Sequence, residues 1–158
     1  MFGRKSLSIA LLVALLTVGP GVLRAGDDVP FKGDAVSVFK YGDLSTLTSY
    51  FEITEGNLTH LGAVTGTAEV HWTLVSLDPL VLEPAGADIT LVAADGDELY
   101  LEHDAGEWDP DTATSTADFV ITGGTGRFEG ATGGGTATAS GSGTVSNSWT
   151  GTIDYKKN

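Results

Sequence analysis

The chain contains no cysteine. Disulfides and thiolate metal sites are therefore excluded, and so is anchoring through a lipid-modified cysteine. Basic residues are scarce: eight Lys and Arg stand against 21 Asp and Glu in 158 residues. Three of the eight (Arg4, Lys5 and Arg24) fall in the first 25 residues, where there is no acid at all. The other 133 residues carry Lys32, Lys40, Arg127, Lys156 and Lys157 against all 21 acids, a formal net charge of −16. Such a surface repels phosphate backbones and anionic lipid, which argues against nucleic-acid and membrane-surface partners. Solubility is its simplest use. Helical periodicity is also missing, because no stretch after residue 26 sustains apolar residues at three- and four-residue spacing. Finally, residues 131–144 hold no side chain larger than threonine.

What is present begins with an export signal. Arg4 and Lys5 form a basic head, Leu7 to Val18 is almost unbroken apolar sequence, and Gly19-Pro20 interrupts it before the small residues Ala25 and Gly26. That order is the layout of a secretory signal peptide, and the apolar run is short for a bilayer span. We expect residues 1–25 to be removed and 26–158 to form one domain, secreted or periplasmic, with no membrane span left. Without disulfides, such a domain depends on core packing and sheet closure.

Alternation dominates the rest. Strand candidates lie at 33–41, 46–54, 57–75 (one bent strand, or two divided at Gly62), 87–93, 97–103, 114–122, 132–140 and 145–155. Short strands at this spacing with no helices between them predict an all-β fold, an antiparallel sandwich or barrel. In the third, Val64, Gly66, Ala68, Val70, Trp72 and Leu74 share the inner face, and His71 points out. For 87–93 and 97–103, a two-residue turn would set Leu91 against Tyr100. A three-residue loop at Ala94-Asp95-Gly96 pairs Leu91 with Leu99 and Ile89 with Leu101 instead, and it turns His103 inward. The last strand places Val145, Trp149, Ile153 and Tyr155 on one face. The small-residue stretch ahead of it either is packed over by neighbouring aromatics or lines a hollow.

Few residues carry chemistry. His60, His71 and His103 have no metal-ligand spacing, and no cofactor motif occurs. No Gly-x-Ser-x-Gly elbow is present. The loop at 103–111 gathers Asp104, Glu107, Asp109 and Asp111; it reads as a solvated acidic loop, with calcium uptake as the alternative. The glycine stretch Ile121–Thr132, ITGGTGRFEGAT, fails as a dinucleotide fingerprint, since Glu129 stands where the third glycine belongs and strand follows. It fails as a P-loop too, because Ala131 and Thr132 follow Gly130. These glycines (Gly123, Gly124, Gly126 and Gly130) fit a tight corner needing positive backbone angles, with Phe128 plugging the core and Arg127 and Glu129 facing outward or pairing.

Three blocks, Thr59–Gly62, Ala94–Tyr100 and Ile121–Gly133, resemble a group of small exported bacterial proteins. Their glycine-aromatic corner is similar to that of allene oxide cyclase and dirigent proteins. The resemblance implies a single calycin-like antiparallel barrel of about eight strands. It also implies two activities, cyclisation of a lipid-derived substrate in an apolar barrel and steering of radical coupling, but it transfers no active-site residue. Our first expectation is a non-enzymatic barrel that binds a small apolar ligand or a partner protein. The alternatives are a cyclase or isomerase that orients a hydrophobic substrate, and a solid structural surface protein. Trp72, Leu99, Leu101, His103 and Trp149 are the expected ligand-binding residues. A cavity of about 300 Å³ or more among them is the expected sign of a site.

Overall fold

Most of the predicted alternating segments become strands, and the first, third and fourth strands run longer than periodicity alone indicated. In the computed structural model, which describes residues 28–156, the strands are β1 (Val29–Asp43), β2 (Thr48–Leu58), β3 (Gly62–Leu77), β4 (Leu80–Ala93), β5 (Glu98–His103), β6 (Glu107–Asp109), β7 (Thr114–Gly124), β8 (Thr132–Ser140) and β9 (Thr144–Asp154). The expected export segment, residues 1–25, lies outside the described residues. Each strand pairs antiparallel with its neighbours. The first and last long strands pair with each other, and β5 reaches past β6 to pair with β7. Eight strands thus close into a barrel, with β6 as a short extra piece on β7 beyond the end of β5. Closure leaves the eight strands without a free edge within the ring, which suits a chain that has no disulfide.

One end of the barrel is packed shut. Leu58, Leu61, Val64, Leu91, Leu99, Leu101, Ile121 and Ile153 are buried there. Phe128 closes it, fully buried in a 3-10 turn at Gly126–Phe128 between β7 and β8. Gly123, Gly126 and Gly130 have φ of +142°, +55° and +73°, a region that side-chain-bearing residues rarely enter. Gly124 serves through size: a Cβ there would stand 2.7 Å from the Cβ of Phe128. Arg127 lies 4.7 Å over the Phe128 ring and forms an ion pair with Asp95. The corner is therefore stapled to the β4–β5 turn, and Glu129 stays exposed, 3.8 Å from Lys156.

The small residues of β8 are used in two ways. Register places Phe31, Gly151, Gly135 and Phe119 in one row across four adjacent strands. The two phenylalanine rings lean over the paired glycines and meet with centroids 5.8 Å apart. A Cβ on Gly135 would stand 2.5 Å from the Cα of Gly151, so this row is closed to larger residues. One row nearer the other end come Gly33, Trp149, Ala137 and Ala117. Beyond that row the inner wall stays small and the interior is no longer filled.

The β4–β5 hairpin has the expected three-residue loop, with Leu91 opposite Leu99 and Ile89 opposite Leu101. Gly96 takes φ +90° there. Three expectations need correction. Residues 57–61 are not part of a strand continuous with 64–75: β2 ends at Leu58, and the chain reverses at Thr59-His60-Leu61, with His60 at φ +68°. The fourth strand begins at Leu80 instead of 87, because β3 and β4 run on together beyond the barrel as a two-stranded finger. On that finger Leu74 is 39% exposed and not core, since no third strand covers it.

Candidate binding site

The unfilled end is the candidate site. It opens between the loops at 43–48, 78–79, 104–113 and 141–143, opposite the Phe128 plug. Inside is a cavity of about 160 Å³. Its walls include Ala68, Ala87, Ala117, Ala137 and Ala139, its floor includes Trp149 and Ile89, and Phe51, Val70, Trp72, Pro84 and Trp108 line it towards the opening. The hollow exists because alanines from β3, β4, β7 and β8 face one another at a level where no large side chain reaches across. A larger hollow of about 590 Å³ lies among Lys40, Tyr41, Tyr50 and Thr67. It is an open groove among outward-facing side chains of β1–β3, and it encloses nothing.

The expected ligand-binding residues divide. Trp72, His103 and Trp149 line the cavity. Leu99 and Leu101 do not: both are fully buried in the packed half beneath it. Trp72 is half-buried and donates its indole N–H to Ser49 Oγ at 3.0 Å. The cavity is about half the expected volume, because Ile89, Phe119 and Trp149 seal the barrel above Leu101.

His103 is the chemically informative group. Its Nε2 lies 3.0 Å from Trp149 Nε1. Indole nitrogen can only donate, so Nε2 must accept, and the neutral ring carries its proton on Nδ1. Burial pushes the pKa of His103 down to about 4, against a smaller upward pull from the Asp104 carboxylate. The imidazole is therefore neutral near pH 7, in one tautomer, with Nδ1–H as its free donor. Among the described residues Nδ1 has no partner, and it is not among the sealed polar atoms, of which Arg127 Nε is the one found. A base with its lone pair occupied by Trp149 and its other nitrogen protonated is a poor proton acceptor.

Asn147 is a second polar group in the wall, absent from the expected set. Its Nδ2 donates to Ser37 Oγ at 3.0 Å and to the Val145 carbonyl at 3.2 Å. A backbone carbonyl can only accept, so the amide orientation is determined and Oδ1 is the acceptor left over. Asn147 shares parity with Val145 and Trp149, so its inward direction was readable from the strand pattern. The alanines carry no such signal.

Two carboxylates of the 104–111 loop accept backbone hydrogen bonds. Asp104 Oδ1 accepts from the Asp118 N–H at 3.1 Å, and Asp109 Oδ1 from Asp111 N–H at 2.9 Å. Among the described residues, no three or more His, Asp or Glu side chains are placed to share a metal ion. His71 faces outward, 2.9 Å from Asp88 Oδ2, and the His60 ring lies against Tyr155 with its Nε2 2.9 Å from the Pro30 carbonyl oxygen. Around the opening, the β3–β4 finger exposes Leu74, Val75, Leu77, Leu80 and Val81, an apolar lip beside the cavity. No helix among the described residues is long and apolar enough to cross a membrane.

No family model and no curated protein matches the sequence. One solved structure similar to the chain is that of the pterocarpan synthase dirigent protein GePTS1. It is 17% identical, with a TM-score of 0.39, over 83% of this chain and 86% of the other. It comes from the group that the glycine-aromatic corner resembles.

Proposed function

We propose that the protein is a non-enzymatic barrel that binds a small apolar molecule in the cavity above Trp149. The observation that carries this reading is the alanine-walled hollow over an aromatic floor in a barrel otherwise packed shut. Leaving about 160 Å³ unfilled forgoes core contacts that stabilise a fold. A dry apolar cavity of about 150 Å³ in another protein is large enough for benzene. The space therefore suits a single ring, or the end of a longer chain whose remainder runs out past Trp72 and Trp108. The apolar lip gives such a molecule a place to land before it enters.

The cyclase reading draws less support. Folding a flexible substrate on itself needs more room than one ring occupies, and the one titratable side chain deep in the cavity has its basic nitrogen engaged. The solid-barrel reading has to explain why the packing stops at Trp149. To test binding, the protein lacking residues 1–25 is incubated with a cell lipid extract and analysed by native mass spectrometry. Retention of an unchanged small molecule is the expected outcome. A rearranged product would move the reading to catalysis, and retention of nothing would favour the solid barrel.

A further inference from the structure

We propose that the ligand is a neutral carbonyl compound of ring size, whose oxygen accepts the Nδ1–H of His103 while its apolar body lies against Trp149 and the alanine wall. The inference rests on the binding reading above and specifies the chemistry of the occupant. Three observations carry it. The first is direction: Trp149 holds the imidazole of His103, which lines the cavity, in the tautomer whose Nδ1–H is an unengaged and unsealed donor, so a ligand that takes it must offer an acceptor. An apolar molecule lacking one would leave a polar N–H dehydrated when the cavity fills, which is unfavourable.

The second is charge. No Lys or Arg lines the cavity, Asp104 does, and the chain beyond residue 25 has a formal net charge of −16. A carboxylate or phosphate ester would enter against this field and find no cation inside. A cationic ligand would meet the positive end of the imidazole N–H dipole at the deepest polar point. A neutral acceptor avoids both conflicts, and a carbonyl oxygen is a compact neutral acceptor that fits a space of that size.

The third is placement. His103 is the last residue of β5, pairs with Ala87, and lies beside Trp149, with ring centroids 6.3 Å apart. The donor therefore sits at the edge of the aromatic floor and not at the opening, so the acceptor must be carried deep into the hollow, joined directly to the ring. The free Asn147 Oδ1 adds an acceptor for a hydroxyl on the same molecule.

The test uses three probes built on one six-membered ring: cyclohexanone and methylcyclohexane, which match in size, and the larger, charged cyclohexanecarboxylate. Each is titrated at pH 7.5 into the protein lacking residues 1–25, and binding is followed by the Trp149 indole N–H resonance. The expected order is cyclohexanone about tenfold tighter than methylcyclohexane, the ratio of roughly one net hydrogen bond, with the carboxylate weakest. H103Q retains a carbonyl acceptor for Trp149 and an N–H donor for the ligand, so it should keep the preference. H103L should bind the hydrocarbon and lose the tenfold preference. Equal affinity for ketone and hydrocarbon in the unmodified protein would overturn the carbonyl assignment while leaving the binding reading intact. If no probe binds, both fail. Tightest binding of the carboxylate would refute the charge argument. The comparison of probes in the unmodified protein stands whether or not H103L folds.

Discussion

The state of His103 can be tested without any ligand, through the dependence of stability on pH. Burial lowers its pKa from 6.5 to about 4 in the fold, whereas the unfolded chain restores the ordinary value. A histidine depressed in the native state is held neutral. Between those two values the unfolded state therefore binds more protons than the native state, and stability must fall as pH falls. The contribution is fully present above about pH 6.5, erodes by up to ~1.4 kcal/mol per unit, and is exhausted near pH 4. The whole loss amounts to about 3 kcal/mol and the part lost by pH 5 to about 2 kcal/mol, large fractions of the roughly 5–15 kcal/mol that hold a domain folded.

Asp43, Asp95 and Asp109 also have pKa values below the usual carboxylate value. For Asp43 and Asp109 the largest cause is a side-chain hydrogen bond, from Ser45 and Thr112 respectively, and for Asp95 it is the Asp97 backbone N–H. Their contributions are lost only as pH falls through the still lower range of their folded values. To isolate the histidine, H103Q serves as the reference, because it keeps an acceptor for Trp149 Nε1–H and cannot titrate. Urea unfolding of both proteins, followed by tryptophan fluorescence at pH 7.5, 6.5, 5.5 and 4.5, should show the unmodified protein losing stability relative to H103Q as pH falls. The difference should change by about 2–3 kcal/mol. Parallel curves would refute the neutral state, and with it the tautomer that the Trp149 contact fixes in the neutral ring.

Other outcomes follow from packing. Ala87→Leu places a branched side chain into the hollow opposite His103 and should abolish ligand binding, with an unchanged or higher thermal midpoint, because it fills space that is empty. Gly135→Val should cost about 2–4 kcal/mol by wedging between Phe31 and Phe119, against less than about 0.5 kcal/mol for the outward Thr136→Val, both read by urea unfolding. Phe128→Ala should cost about 3–5 kcal/mol by opening the plugged end. Arg127→Met should cost less, and its effect should shrink in high salt, because the Asp95 and Asp97 carboxylates it pairs with are partly solvated.

Much of this barrel was legible in the residues. Inward positions such as Trp72, His103 and Trp149 follow from a period of two, and the β4–β5 register follows from pairing Leu91 with Leu99 instead of Tyr100. The corner role of Gly123–Gly130 follows from glycines that no phosphate motif explains. The misreadings share a cause. Leu74 has the parity of a core residue, but parity says which way a side chain points and not whether another strand lies there. The segment 57–61 alternates like a strand although His60 turns the chain, since a positive φ at histidine leaves no mark on hydrophobic pattern.

The sequence alone therefore determined the strand class, the faces of the strands and the closed corner, because these depend on local stereochemistry and on apolar residues recurring along one segment. Only the tertiary structure decided where the barrel is solid and where it is hollow. Volume inside a barrel is a sum over side chains from strands far apart in the chain. Gly135 is covered because Phe31 and Phe119 happen to reach it, and Ala137 two residues on opens into space because what faces it is also alanine. The tautomer of His103 likewise depends on a tryptophan 46 positions away in the sequence. That contact turns an unremarkable histidine into a fixed hydrogen-bond donor.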